Sequence, residues 1–268
     1  MSALALSGFG PLYARRLSIA VRTASVMIGQ VTTPILWVLV VAPALNTALG
    51  NFRPDVDYFT YVAVAQVAFL LPFTAMFSGL QVILDANAGI LPELLVAPIR
   101  RAAIPVANAF AVLTVGLAQV ALLLGLAAVR GAHFHTSVAG VLWFIAGASL
   151  LLLTVYGVAE ILTVVVRPEL YGPLIPAIGV TPWFLSGSLF PLTVLPAGIE
   201  QLGLLLPWTH ALALMRYGLM QGSPSGLRDI WHLGSPELMA VLSLLVLVGF
   251  AVASLGLATR VFNRTTTL

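Results

Sequence analysis

Long apolar runs separated by single charges or small charged clusters set the architecture of this chain. Charge-free stretches cover Thr23–Phe52 (30 residues), Tyr58–Leu84 (27), Ala102–Val129 (28), Gly131–Ala159 (29), Leu170–Ile199 (30) and Leu238–Thr259 (22). A helix needs about 20 apolar residues to cross a hydrocarbon core about 30 Å thick, so each run is long enough to span. A seventh run, Gln201–Met215, has 15 residues and carries Pro207. At 1.5 Å per residue it reaches only about 23 Å, short of a crossing. The pattern predicts an all-α membrane protein with six transmembrane helices near residues 24–48, 58–84, 103–128, 138–165, 171–191 and 237–259. These form a single transmembrane domain, 1–268, with an outer re-entrant helical segment over about 195–221, broken by Pro196 and Pro207. Pro34, Pro43, Pro72, Pro173, Pro176 and Pro182 fall within the predicted spans and predict kinks or breaks there.

Ahead of the first span the periodicity changes. Phe9, Leu12, Tyr13, Leu17 and Ala20 fall near one helical face, with Arg15, Ser18 and Arg22 on another. This predicts an amphipathic helix over about 9–22, lying at the inner membrane surface with its arginines toward anionic headgroups. The first 22 residues do not have the basic-then-apolar-then-small order of a cleavable signal peptide.

Composition narrows the chemistry. Apolar residues make up 60% and charged residues 8%, with a mean hydropathy of +1.06. Soluble domains carry about 25% charged residues, so a water-soluble globule is excluded, and disorder requires the opposite bias. All 12 basic residues are arginine. Without lysine the chain cannot form a G-x-x-x-x-G-K-[ST] P-loop or a Schiff base. Without cysteine it has no disulfide, zinc-thiolate site or thiol nucleophile. The net charge of +3 is too small and scattered for a nucleic-acid binder.

Arginine placement sets the threading. With both termini cytoplasmic, Arg15, Arg16, Arg22, Arg100, Arg101, Arg167, Arg260 and Arg264 lie inside, and Arg53, Arg130, Arg216 and Arg228 outside, eight against four. Cytoplasmic loops are enriched in Arg and Lys, so this orientation is expected.

Few residues suggest catalysis or metal binding. His133 and His135 stand two apart with no third ligand nearby, so no metal site is predicted. Ser186 and Ser188 have no histidine base at an evident spacing. Glu160 is an acidic residue inside an apolar helix, where charge is costly and often functional. It lies 22 residues beyond Val138, or about 33 Å, near the inner interface. It is expected to cap the span or pair with Arg167; proton coupling or contact with a partner is the functional alternative.

The inner loop between the second and third spans reads Asp85-Ala-Asn-Ala-Gly89-Ile-Leu-Pro-Glu93-Leu-Leu-Val-Ala-Pro98-Ile-Arg100-Arg101. Pro92 suits a first helical turn and Pro98 stops it. Leu91, Leu94 and Leu95 share a face, giving a two-turn helix over about 90–98. Such an exposed apolar face asks for a protein partner or the lipid interface.

In this loop the chain resembles the permease subunits of type-2 ATP-binding-cassette (ABC) exporters, especially the daunorubicin-resistance subfamily. Asp85, Gly89, Leu91, Glu93, Leu94, Leu95, Val96, Ala97, Pro98 and Arg101 match the family's run in register. Ala86 and Asn87 stand where the family usually carries charge, and Pro92 is unusual within the helix. A second likeness covers Phe184–Pro191, Leu195-Pro196 and Pro207-Trp208-Thr209-His210, completed by Arg216 and Gly222.

The resemblance implies a cytoplasmic coupling helix that seats in a groove on a separate ABC ATPase subunit. Asp85, Gly89, Leu91, Glu93, Leu94, Leu95, Pro98, Arg100 and Arg101 would be its coupling residues. It also implies that Pro207, His210, Arg216 and Gly222 cap the outer end of the pathway. ATP and Mg would bind the partner ATPase, with no cofactor in this chain. A second permease subunit, identical or different, would complete the pathway through a bacterial cytoplasmic membrane. The expected activity is export of a hydrophobic or amphipathic drug, lipid or glycolipid, in the manner of antibiotic-resistance transporters. The competing expectation is an ion- or proton-coupled secondary carrier using Glu160.

Overall fold

The computed structural model describes residues 8–49, 57–90, 103–221 and 226–265. The helices are α1 (Phe9–Arg22), α2 (Ala24–Leu36), α3 (Ala42–Leu49), α4 (Tyr58–Asn87), α5 (Ala103–Val129), α6 (Val138–Val165), α7 (Pro168–Leu185), α8 (Ala197–Leu204), α9 (Pro207–Leu219), α10 (Leu227–Trp231) and α11 (Pro236–Thr265). A π-helical segment, Trp37–Val41, joins α2 to α3, and a short 3-10 turn covers Leu192–Val194. Among the described residues there are no strands, only an isolated bridge between His135 and Met220.

Among the described residues, five helical stretches are long and apolar enough to cross a membrane: Ile28–Ala48, Tyr58–Asn87, Ala103–Val129, Val138–Val165 and Pro236–Val261. Their positions follow the charge-free runs closely. The expected fifth span, 171–191, corresponds to α7, which ends at Leu185 and has 18 residues. Glu169 in its first turn and four prolines lower its hydropathy, and it is not one of the five. The stretch expected to be re-entrant holds two short helices, α8 and α9, of 8 and 13 residues.

Local signals explain where helices begin. Asp57 caps α4, its carboxylate accepting the N–H groups of Phe59 (3.1 Å) and Thr60 (3.3 Å). Ser137 caps α6 by accepting from the Gly140 N–H at 3.1 Å. Such caps satisfy donors that the first turn leaves open. Pro72 in α4 and Pro173, Pro176 and Pro182 in α7 leave those helices uninterrupted. Helical irregularity appears instead at the π-turn three residues after Pro34, as expected where a missing donor loosens the ladder.

The core forms around α4, most of whose residues are buried. Trp183 of α7 is fully buried and meets Phe69 and Trp37 edge-on, at 5.3 and 5.5 Å between ring centroids. Its indole N–H donates to the Ala65 carbonyl at 2.8 Å. Tyr171 does the same lower in the helix, donating to the Met76 carbonyl at 2.9 Å. Both bonds use α4 carbonyls, so apolar packing and hydrogen bonding fix the same contact.

The first turns of α6 meet the end of α9 with no room for side chains. A Cβ on Gly140 would fall on the Gly218 carbonyl oxygen, and one on Gly218 on that of Gly140. Small residues at such crossings let backbones approach closely. Thr136 adds a hydrogen bond to the Gly218 carbonyl at 2.7 Å, and the Gln221 N–H donates to His135 at 2.9 Å. In α9 every residue except Tyr217 is buried. This 13-residue helix is about 20 Å long and is enclosed by α4, α6 and α11.

Candidate functional site

Polar residues gather at the two ends of α4. Tyr61 and Asp85 are 24 residues apart along it, about 36 Å at 1.5 Å per residue.

At the Asp85 end, α1 packs on α5. Leu12 is buried with Ile104 and Ala107, and Phe9 meets Phe110 edge-on at 5.5 Å. The amphipathic helix falls where its periodicity predicted, but Arg16 does not face outward with the other arginines. It shares the buried face of Leu12, four residues back, and is 8% exposed. Its Nε donates to Asn108 at 2.9 Å, and its Nη1 lies 3.4 Å from Asp85. Arg15 makes a second pair with Asp85, at 3.2 Å. Burial pulls the Arg16 guanidinium below the usual arginine range, and Asp85, then Glu160, draw it back up. The expectation that these arginines all turn to headgroups is corrected for Arg16, because Asp85 and Asn108 supply partners within the fold.

Glu160 is buried in the bundle rather than capping an exposed span end. Its neighbours are Tyr156 and Arg16, while Arg167 is exposed at the start of α7. The Tyr156 hydroxyl donates to the Pro105 carbonyl at 2.9 Å, tying α6 to α5 beside the carboxylate. Asp85 thus sits in a cluster drawn from α1, α4, α5 and α6. Gly89 follows α4 with φ +75°, which turns the chain away from the helix. Leu91, Glu93, Leu94, Leu95, Pro98, Arg100 and Arg101 lie outside the described residues.

This cluster makes a specific prediction. Asp85→Ala removes the paired carboxylate from the buried Arg16 and leaves it the neutral Asn108 bond and the Glu160 charge; breaking a buried pair in this way costs about 3–5 kcal/mol. Amide exchange over residues 9–22 should accelerate about 100-fold, whereas removing the more exposed Arg15 should change it less than about tenfold. Equal protection of α1 in wild type and Asp85→Ala would show that the ion pair does not hold the helix.

At the opposite end, Arg216 of α9 is buried. Its Nη1 donates to the Gly187 carbonyl at 2.9 Å and its Nη2 to the Ser188 carbonyl at 2.7 Å. The guanidinium carbon lies 3.3 Å from the centre of the Tyr61 ring, and the Tyr61 hydroxyl also donates to Gly187, at 3.1 Å. Gly187 has φ +74°, a conformation open to glycine at little cost. One cation and one aromatic ring therefore anchor the turn that ends α7.

His210 completes a chain of hydrogen bonds in the same helix. The Trp231 indole N–H donates to Ser243 Oγ at 2.8 Å. Ser243 Oγ lies 3.3 Å from His210 Nδ1, and His210 Nε2 lies 3.2 Å from the Leu204 carbonyl. A carbonyl only accepts, so Nε2 carries the proton and Nδ1 accepts from Ser243. Pro207 occupies the first position of α9, where its missing N–H is harmless. Gly222 lies outside the described residues.

Sequence reasoning singled out Asp85, Glu160, His210 and Arg216 and missed Arg16, Tyr61, Asn108 and Tyr156. Asn108, a side-chain amide near the start of an apolar helix, was the available signal. Nothing in the sequence pairs it with Arg16, 92 residues away. The His133 backbone N–H donates to Thr60 Oγ1 at 2.8 Å, and among the described residues no group of three His, Cys, Asp or Glu forms a metal cage.

Among the described residues, an all-helical bundle with five helices long and apolar enough to cross a membrane indicates a multi-pass membrane protein. Residues 8–220 match the ABC-2 type transporter family. The chain belongs to that family and is a membrane permease component of an ABC transporter, a transport part rather than a catalytic one. Membership implies a partner ATPase subunit. No curated protein matches the chain.

Proposed function

We propose that this chain is the permease subunit of an ATP-driven exporter, related to the daunorubicin-resistance permeases. It moves a hydrophobic or amphipathic substrate outward across a bacterial cytoplasmic membrane. The observation that carries this reading is the family match over residues 8–220, which encloses the Asp85–Arg101 run with its apolar Leu91, Leu94 and Leu95. That run docks on the ATPase, and two permease subunits enclose the route. ATP then biases an inward-open to outward-open switch through the docked helix. Co-expression with a P-loop ATPase and reconstitution into vesicles tests it. ATP-dependent movement of a fluorescent amphiphile against its gradient is expected; movement driven by a proton gradient alone would favour the carrier based on Glu160.

In this reading α7 is the fifth of six spans, α8 and α9 dip into the outer leaflet, and both termini are cytoplasmic. The natural absence of cysteine allows a clean topology measurement. A cysteine at Thr266 should resist an impermeant maleimide in intact cells and react after permeabilisation. Labelling in intact cells would reverse the threading.

A further inference from the structure

A groove open to its surroundings lies between α1, α2, α4 and α5. It runs from Arg16 at the Asp85 end up to Thr74 and Gln30. Thr74 is 11 residues from Asp85, or about 16 Å, half the thickness of a hydrocarbon core. The groove therefore reaches from the membrane surface to near the midplane.

Its walls are mostly apolar, with Phe77, Val112 and Val115 among them, yet a line of uncharged polar side chains follows its length. Thr74 Oγ1 donates to Gln119 Oε1 at 2.7 Å, and Gln119 Nε2 points to Gln30 Oε1 at 3.4 Å. That leaves the Gln30 amide N–H groups without a partner among the described residues. Ser78 and Gln81, both half-buried in the wall, likewise have no hydrogen-bond partner there. Ser78 and Gln81 lie seven and four residues from Asp85, about 10 and 6 Å inside that end, and polar side chains left facing hydrocarbon without a partner are costly. They are accounted for if the occupant carries hydrogen-bonding groups of its own.

The charge balance selects among such occupants. Arg16 is the charged residue in the lining, and it is already matched by Asp85 and Asn108. The groove offers no unmatched charge to an anionic or cationic head. We propose that it binds an uncharged amphiphile bearing hydroxyl or amide groups, with its polar part on Gln30, Ser78 and Gln81 and its apolar part along Phe77, Val112 and Val115. This rests on the exporter reading and names the substrate class for it. The groove is where the molecule enters from the leaflet on the Asp85 side.

The test uses the full chain in phosphatidylcholine nanodiscs, without ATPase, so that binding is read separately from transport. Three photoreactive probes share one diazirine-bearing acyl chain and differ in head: a glucosyl diacylglycerol, a phosphatidylglycerol and a quaternary ammonium lipid. The neutral glycoside should label peptides containing residues 74–81 and 111–115 about fivefold more than either charged probe, the effect of roughly one net hydrogen bond. Gln30→Leu with Gln81→Leu should remove that preference, while labelling of the exposed face of α11 stays constant and reports intact folding. Ser78→Ala, a milder change, should lower it partially. Equal labelling by all three heads, preference for a charged head, or a preference that survives the double substitution would overturn the proposal. So would a photocrosslink from this groove to a second copy of the chain instead of lipid. Preferential labelling without ATP-driven release in vesicles would keep the binding site and reject the exporter.

Discussion

Replacing Leu94 and Leu95 with aspartate should abolish both ATPase co-purification and ATP-driven transport, with the permease inserted at its normal level. Helical spacing in the sequence is expected to put the two leucines on one apolar face with Leu91, with Glu93, Arg100 and Arg101 beside them in the chain. Burying each leucine contributes about 1.5–3 kcal/mol. The substitution removes both contributions and places two carboxylates where an apolar groove must close, a further cost of several kcal/mol if they stay unpaired. Together these weaken association by about 100-fold at least. Insertion should be unaffected, because the loop lies between spans and its change does not shorten any apolar run. The comparison to make is ATPase recovered per permease, alongside transport rate. Full recovery with full transport would refute docking through this face and favour a carrier that works through Glu160. Leu94→Ala alone provides a graded control, losing part of the burial without adding charge.

The spans were legible because lipid leaves only one way to write them. A crossing helix must avoid charge for about 20 residues, so Asp57, Asp85, Arg130 and Glu237 mark boundaries almost to the residue. Segments that obey a second constraint were less legible. α7 carries Glu169 and several prolines, and its helix ends at Leu185 because the Ser186-Gly187-Ser188 turn is held from α9. α9 was readable as too short to cross, but its near-complete burial was not. The Gly140–Gly218 contact that encloses it joins residues 78 apart in sequence. Periodicity likewise marked the α1 stretch, but the expectation that its arginines turn to headgroups overlooked that Arg16 follows Leu12 by four residues on the apolar face. Its buried position depends on Asp85 and Asn108, which belong to other helices. Local pattern thus gave the elements, while the polar clusters at the two ends of α4 needed tertiary pairing to appear.

The second large effect is expected at Arg216. Arg216→Leu removes the donors that satisfy the Gly187 and Ser188 carbonyls, and leaves the Tyr61 hydroxyl as the remaining bond to Gly187. Hydrogen bonds from a charged donor contribute about 1.5–3 kcal/mol each, so the loss is about 3–6 kcal/mol, a large share of an ordinary stability. For a chain of this size that corresponds to a fall in Tm of about 10 °C. Arg216→Lys should recover part of the loss, because one ammonium can reach one carbonyl but cannot span two as the planar guanidinium does. Arg130→Leu, at an exposed position, should shift Tm by no more than about 2 °C. Transport by Arg216→Leu measured well below its own Tm separates anchoring from a role in the pathway. Normal transport there assigns Arg216 to holding the α7 turn. Lost transport with an intact fold assigns it, with His210, to the cap over the outer end. An unchanged Tm would mean that the two carbonyls find other donors and that Arg216 does not anchor this end of the bundle.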